Sequence, residues 1–394
     1  MDLARRIKRI QPSPTLAFNA KALSLKAQGV DIINLCLGEP DFDTPDPIKE
    51  AAITAIREGF TKYTAVEGIL PLREAIAKKC MVDHQLHYSP QQIIVSNGAK
   101  QALYNLMWSL LNPGDEVIIP APYWVSYPDM VLLHEAKPII LATTFEQNFK
   151  ISATQLEQAI TPKTKLFIMN SPSNPTGIAY TASELQAFAK VLEKHPAVFI
   201  VSDDIYEAIM WQPKSFSNLG ICCSALIERM ILIHGLSKAY AMTGWRIGYA
   251  AGPLPIIQAM NILQSQSTSN PCSIAQKAAL FALTCPQDFI PPMVQAFKER
   301  HDYVVRRLNQ IKGIECHPND GTFYVFPRVT KAIQALKLED DIAFAHYLLE
   351  MAEVAIVPGS VFGTAGFIRL SFASSMDILE TALNRIEATL GSLA

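Results

Sequence analysis

Met230-Ile231-Leu232-Ile233-His234-Gly235 runs into Leu236-Ser237-Lys238, and Ala239-Tyr240-Ala241-Met242-Thr243-Gly244-Trp245-Arg246 then leads to Ile247-Gly248-Tyr249-Ala250-Ala251. Two short apolar runs, Met230–Gly235 and Ile247–Ala251, flank a segment of small, polar and basic residues. Runs of that length bounded by glycine read as buried strands. Similar runs stand N-terminal to this pair at 92–96, Glu116–Pro120, 165–170 and 198–203, with helix-periodic stretches at 100–111, 181–193 and 254–264. Strands alternating with amphipathic helices predict an α/β fold, a largely parallel sheet covered on both faces.

Beyond about residue 290 the pattern changes. A helical stretch at 294–311 precedes short strand-like pieces at 321–327, 354–357 and 367–373, which read as a second, smaller α+β unit. The proline-rich segment 38–47 reads as a passage between units. The expected division is an N-terminal arm contributing to the small domain (1–45), a large domain (46–289) and the small domain proper (290–394).

Composition narrows the function. The 394 residues are 49% hydrophobic and 18% charged, which describes a chain with a large buried core and excludes a disordered one. Lys plus Arg number 34 against 36 Asp plus Glu, a net charge of −2, so no basic excess serves nucleic acid. No apolar stretch approaches the roughly 20 residues of a membrane span. The first ten residues are charged and lack the apolar core of a secretion signal, so a short amphipathic surface helix is expected there. Seven scattered cysteines without a Cys-x-x-Cys pair predict reduced, mostly buried thiols in a cytoplasmic protein. His84 and His87 read as a solvated helix end, and no metal site is expected.

Ligands of open α/β sheets bind at the carboxyl ends of the strands, so the residues following each run carry the chemistry. Asn97-Gly98-Ala99-Lys100 opens a helix and is either a phosphate seat or an ordinary tight turn. Trp124 can stack on a planar ring or simply pack. Asn174, held between prolines in Ser171-Pro172-Ser173-Asn174-Pro175-Thr176-Gly177, sits in a stiff loop that either positions an amide or merely connects. Asp203 and Asp204 end an apolar run, with Tyr206 just beyond; a carboxylate there needs a partner, and Asp204 is the one expected to cap a helix. Lys238 at a buried strand end would have a desolvated amine able to form a Schiff base, whereas most lysines are surface residues. Arg246 could clamp an anion. Arg369, alternating with Ile368 and Leu370, suits a carboxylate ligand or a buried ion pair about equally. Together these residues make the inventory that a pyridine aldehyde phosphate acting on an amino acid requires.

Gly38-Glu39-Pro40-Asp41-Phe42, Lys62-Tyr63-Thr64, the 171–177 loop, Asp203-Asp204-Ile205-Tyr206-Glu207 and the Ser237-Lys238 to Arg246-Ile247-Gly248-Tyr249 stretch resemble pyridoxal-phosphate aminotransferases of fold type I, over about residues 10 to 390. Segments 97–102, 113–128 and 239–252 are most similar to the prokaryotic branch of aspartate aminotransferases. The resemblance implies a seven-stranded, mostly parallel sheet and pyridoxal 5′-phosphate held by Lys238, which would also shuttle the substrate proton. Asp203 would pair with the pyridine nitrogen, Asn174 and Tyr206 with the phenolic oxygen, and Trp124 would stack on the ring. Gly98, Ala99, Lys100, Ser237 and Arg246 would surround the phosphate, with Ser237 in place of a serine that several relatives carry where Gly235 stands here. Tyr63 would reach the phosphate of a neighbouring subunit, implying a homodimer with shared active sites. Arg369 would grip the α-carboxylate close to the Gly38 backbone, with Trp124 and Asn174 near the substrate and Lys100 meeting a distal carboxylate. The implied reaction moves an amino group from aspartate to 2-oxoglutarate by ping-pong kinetics. Alanine, aromatic or kynurenine-type transamination, and a pyridoxal-phosphate-binding regulator, are the alternatives. Branch members that accept prephenate carry a lysine just before an N-terminal Pro-Ser; Gln11 stands there, which argues against prephenate.

Overall fold

The computed structural model describes residues 4–10, 12, 14–212 and 216–391. Gln11 and Ser13, on which the expectation about prephenate rests, lie outside the described residues. The strands are β1 (Ile33–Asn34), β2 (Ile93–Asn97), β3 (Glu116–Pro120), β4 (Lys137–Leu141), β5 (Thr164–Asn170), β6 (Phe199–Asp203), β7 (Met230–Gly235), β8 (Ile247–Ala251), β9 (Tyr324–Val325), β10 (Val354–Ala355), β11 (Val357–Pro358) and β12 (Ile368–Ser371). Seven of them form one sheet in the order β2-β8-β7-β6-β5-β3-β4. Only β8 runs against its neighbours, pairing antiparallel with both β2 and β7.

Burial on two faces explains why these strands are nearly continuously apolar. Every residue of β7 is buried. Ile231 and Ile233 face one core with Val201 and Leu166, while Leu232 faces the other with Ile200 and Phe167, the two-residue alternation of a strand. The helices between strands carry local signals that agree. Helix Ala182–Glu193 starts from a capping box in which Thr181 Oγ1 accepts the Glu184 N–H and the Glu184 carboxylate accepts the Thr181 N–H. Helix Ala99–Leu110 starts from Gly98 at φ 82°, a backbone angle that favours glycine.

Strand β4 is absent from the sequence reading. It is an edge strand, with Lys137 and Ile140 exposed and Pro138 inside it; an edge needs no donor on its outer side, so a proline that argues against a strand is tolerated. The helix expected at 294–311 is Ile290–Leu308, beginning earlier because two prolines sit in its first turn, where their missing N–H groups cost nothing. At the N-terminus a single 3-10 turn, Arg5–Arg9, with every residue exposed, precedes the helix Pro14–Ala27, in place of one amphipathic helix.

Outside the large sheet, β11-β12-β9 form an antiparallel three-stranded sheet and β1 pairs parallel with β10. Residues near the N-terminus thus join those near the C-terminus, and the Leu35 carbonyl accepts the Ser371 N–H of β12. All seven cysteines are free; Cys36, Cys80 and Cys316 are buried, Cys272 is exposed and the rest are partly covered, fewer buried thiols than expected. Among the described residues, no helix is long and apolar enough to cross a membrane.

Candidate active site

A cavity of about 440 Å³ opens at the carboxyl ends of the sheet strands. Gly38, Ala99, Lys100, Trp124, Asn174, Asp203, Tyr206, Ser237, Lys238, Arg246 and Arg369 all line it. Gly98 stands at its edge as the N-cap of Ala99–Leu110. Tyr63 is not brought in; it is 92% exposed, away from the cavity.

Lys238 follows β7 in a turn rather than in the strand itself. Its Nζ donates to the Gly38 carbonyl at 2.6 Å. Burial lowers the amine to about 8, and the Arg369 guanidinium adds to the effect. Near neutral pH such an amine is partly unprotonated and available as a nucleophile.

Asp203, the last residue of β6, is buried. Its Oδ2 accepts the Tyr127 hydroxyl at 2.5 Å, and its Oδ1 is buried with no hydrogen-bond partner among the described residues. Burial raises its pKa, and the Tyr127 hydrogen bond works against that rise. A buried acceptor with an open lone pair, facing a cavity, calls for a donor from a ligand. Asp204, expected to cap a helix, does not: its Oδ1 accepts from Ser202 Oγ and its Oδ2 from Asn218 Nδ2, both at 2.7 Å, on a turn with no helix behind it.

The stiff 171–177 loop is anchored at Asn170, whose Oδ1 accepts the Asn174 N–H at 2.9 Å and whose Nδ2 donates to the Asp203 carbonyl at 2.8 Å. Asn174 Oδ1 accepts from Arg369 Nη1 at 3.0 Å, and Arg369 Nη2 donates to the Cys36 carbonyl at 2.6 Å. The buried Arg369 guanidinium lies by the rings of Tyr324 and Phe362, at 4.5 and 5.0 Å, and its Nε has no partner among the described residues. These partners are neutral, so the arrangement favours a carboxylate ligand over a buried ion pair.

On the other side, the amides at the start of helix Ala99–Leu110 face the cavity beside Arg246 and Ser237, a seat for an anion. A Cβ on Gly248 would stand 2.1 Å from the Ala99 nitrogen, so close approach of the backbone requires that glycine, whereas Gly98 is required by its φ of 82° and a Cβ there would push on Arg246 Nη2 at 2.4 Å. Lys100 Nζ lies 4.9 Å over the Trp124 ring, and burial, followed by the Arg246 charge, lowers its pKa. The cavity thus offers an amine, an unpaired buried acceptor, an aromatic face and an anion seat, which fits a phosphorylated heteroaromatic aldehyde.

Tyr127, Asn170 and Tyr324 also line the cavity and were not read from the sequence. Tyr127 and Asn170 adjoin motifs that were read, Trp124 and the 171–177 loop, and Tyr324 lies within the 321–327 piece; of the three only Asn170 ends a strand, the signal that could have found it.

His84 is not a solvated helix end. It pairs with the buried Glu207, which also holds Lys79 Nζ at 2.5 Å and faces His234 Nε2 at 3.0 Å. Ligand atoms of Asp83, His84 and Glu207 lie within 4.8 Å of one another, and the Lys79 ammonium already joins Asp83 and Glu207 there as the compensating cation.

Comparison with known proteins agrees with this geometry. The family described as aminotransferase class I and II matches residues 30–386. A protein of Nitrosomonas europaea named aspartate/prephenate aminotransferase is 54% identical, covering 99% of this chain and 100% of its own length. One of the same name from Cereibacter sphaeroides is 51% identical, covering 100% and 99%. Among solved structures, the aspartate aminotransferase of Rhizobium meliloti superposes with a TM-score of 0.95 at 44% identity, covering 99% of both chains. That of Thermus thermophilus with maleate gives 0.94 at 42%, covering 99% and 100%. The chain shares the fold type I architecture of these enzymes and is a member of the class I and II aminotransferases.

Proposed function

We propose that this aminotransferase uses pyridoxal 5′-phosphate to move the amino group of L-aspartate to 2-oxoglutarate. The observation that carries the cofactor is the meeting, in one cavity, of the Lys238 amine lowered to about 8 and the unpartnered Oδ1 of Asp203. When bound, the cofactor supplies a carbonyl carbon for amines and an electron sink for the substrate's Cα.

The chain's own residues do the rest. With the cofactor bound, Asp203 would keep the pyridine nitrogen protonated, and Tyr206 and Asn174 would donate toward the phenolic oxygen. Trp124 covers one ring face. Gly98, Ala99, Lys100, Ser237 and Arg246 bind the phosphate. Arg369 orients the α-carboxylate, with the Gly38 backbone beside it. Lys238 Nζ would hold the cofactor's aldehyde carbon and, when free, would take and return the Cα proton, as an amine lowered to about 8 can near neutral pH. Lys100 is the residue we assign to a distal carboxylate. The names borne by the relatives and this lysine both support aspartate.

In the same reading, residues 46–289 form the cofactor domain, and 290–394 with part of 1–45 the small domain, a division supported by the separate sheets. A homodimer with shared active sites is supported by the exposed Tyr63, which a second copy would cover. The free thiols support a reducing, cytoplasmic compartment. Prephenate as a second amino acceptor is favoured by the names that the relatives bear.

The test is a half-reaction scan. The protein is loaded with cofactor, single amino acids are added, and the visible absorbance is followed. Fast conversion with aspartate and glutamate and slow conversion with the rest is the expected result. Fast conversion with alanine or aromatic amino acids would keep the chemistry and discard the donor. No visible band on loading would overturn the assignment of the cofactor. Adding prephenate to the aminated form tests the second acceptor in the same cuvette.

A further inference from the structure

Strand β9 opens with Tyr324, a fully buried residue whose side chain reaches three parts of the site at once. Its ring lies 4.5 Å from the Arg369 guanidinium carbon. Its hydroxyl stands 3.2 Å from the Tyr206 hydroxyl, and 2.8 Å from where a Cβ on Gly38 would sit. The backbone is pinned as well: Asn319 Nδ2 donates to the Tyr324 carbonyl at 2.6 Å and to the Thr176 carbonyl at 3.1 Å, in the loop that carries Asn174.

A desolvated guanidinium stacked on a phenol ring is attracted to it and loses orientational freedom before any ligand arrives. The hydroxyl does separate work. Each phenol has one proton; if Tyr206 gives its own to the cofactor, the Tyr206 oxygen is left to accept from Tyr324. Hydrogen bonds in such a chain polarise one another, so donation by Tyr324 makes Tyr206 the stronger donor.

We propose that Tyr324 is a positioning residue of this active site, its ring holding the Arg369 guanidinium for a substrate carboxylate and its hydroxyl setting the donor strength of Tyr206 toward the phenolic oxygen of the cofactor. The inference rests on the roles assigned to Arg369 and Tyr206 in the proposed function. Ring and hydroxyl are separable by substitution.

Tyr324→Phe keeps the ring; Tyr324→Met fills the space without one. Cofactor-loaded wild type and both variants are titrated by visible absorbance against pH, and the dissociation constant of succinate, an unreactive dicarboxylate, is measured for each. With Phe, a weaker donor at Tyr206 leaves the phenolic oxygen more basic, so the titration midpoint rises by about half a unit. Succinate binding stays within about twofold of wild type. With Met, the midpoint rises similarly and succinate binds about tenfold more weakly. An unchanged midpoint in Phe overturns the hydroxyl's role, and wild-type succinate affinity in Met overturns the ring's. A fall in melting temperature with neither spectroscopic nor affinity change would make Tyr324 a packing residue only. Phe retains the packing, so the hydroxyl's role is measurable even if Met does not fold. A wild type without a visible band would instead sink the functional reading.

Discussion

The Nζ of Lys238 donates a 2.6 Å hydrogen bond to the carbonyl of Gly38, a residue 200 positions away in sequence. The strap that carries Gly38 is tied down around the lysine. Thr243 Oγ1 donates to Glu39 Oε2 at 3.0 Å, Thr44 Oγ1 to the Ala241 carbonyl at 2.7 Å, and Trp245 Nε1 to Thr44 Oγ1 at 2.9 Å. A carbonyl accepts from the amine in either charge state, so this contact fixes where Lys238 points while burial fixes its charge.

The rate at which the cofactor-free protein captures pyridoxal phosphate should therefore follow the neutral fraction of this amine. It should climb about tenfold per pH unit well below the titration point and level off above about 8, where the lowered pKa lies. Stopped-flow absorbance at a series of pH values gives the profile. Lys238→Ala should stay folded and show no such band. A midpoint near the ordinary lysine value of 10.5 would mean the amine is solvated in solution.

Arg369→Ala should cost every substrate about 100-fold in kcat/KM, because the guanidinium reads the α-carboxylate they share, and a charge-assisted bidentate contact contributes roughly 3 kcal/mol. Steady-state kinetics with aspartate, glutamate and alanine settle the point. Loss confined to a single donor would remove Arg369 from that role.

Lys100→Ala separates a distal-carboxylate ligand from a phosphate ligand. The amine sits against Trp124 and close enough to Arg246 to feel its charge, between the two candidate anions. The expected result is a drop of about tenfold or more for aspartate relative to alanine, the scale of one lost charged hydrogen bond. An equal drop for both donors assigns Lys100 to the phosphate alone.

The parts of this site legible in sequence are those whose signal is local. The runs Glu116–Pro120, Met230–Gly235 and Ile247–Ala251 have the bounds read from their apolar character, because strands buried on both faces announce themselves residue by residue. Lys238, Asp203 and Arg246 were found because they interrupt or terminate such runs. Tyr127 and Tyr324 were not, since a tyrosine in an apolar stretch reads as core; their duties depend on Asp203, 76 residues away, and Tyr206, 118 residues away. The same holds for His84, whose partner Glu207 is 123 positions distant. Arg369 stayed evenly balanced until the structure supplied Asn174 and the Cys36 carbonyl as its partners.

Tyr127→Phe removes the side-chain hydrogen bond that Asp203 Oδ2 accepts, leaving the carboxylate with no side-chain donor among the described residues. That hydrogen bond holds down a pKa that burial has raised, so without it the carboxyl titrates higher and spends more time neutral. A neutral Asp203 cannot pair with a protonated pyridine. Cofactor retention measured by equilibrium dialysis should weaken by about tenfold, the scale of a hydrogen bond to a charged group, and more so as pH falls. Unaltered retention across pH would show that Asp203 does not depend on Tyr127.

Glu207→Gln tests whether the buried cluster beneath the site is a structural charge pair. Burial alone would raise the Glu207 carboxyl, but the nearby His234 and Lys79 charges and the hydrogen bond with His84 outweigh it, and the net value lies well below the ordinary 4.5. His84 behaves in the opposite sense. Burial lowers its pKa, the Glu207 contacts more than reverse that, and its net value rises above 6.5. A carboxylate with a depressed folded pKa contributes stability above its unfolded value, and loses it as pH falls through the folded one. A histidine with a raised folded pKa contributes below its unfolded value, and loses it as pH rises through the folded one. Both contributions are present together only between about pH 4.5 and 6.5. Removing the charge strands Lys79 and the histidines in a buried place, at a cost of roughly 3 to 5 kcal/mol. The gap in melting temperature between wild type and Glu207→Gln should therefore be widest near pH 5.5 and narrow on either side. A gap that stays constant with pH would assign the loss to packing, since only an ionic contribution titrates.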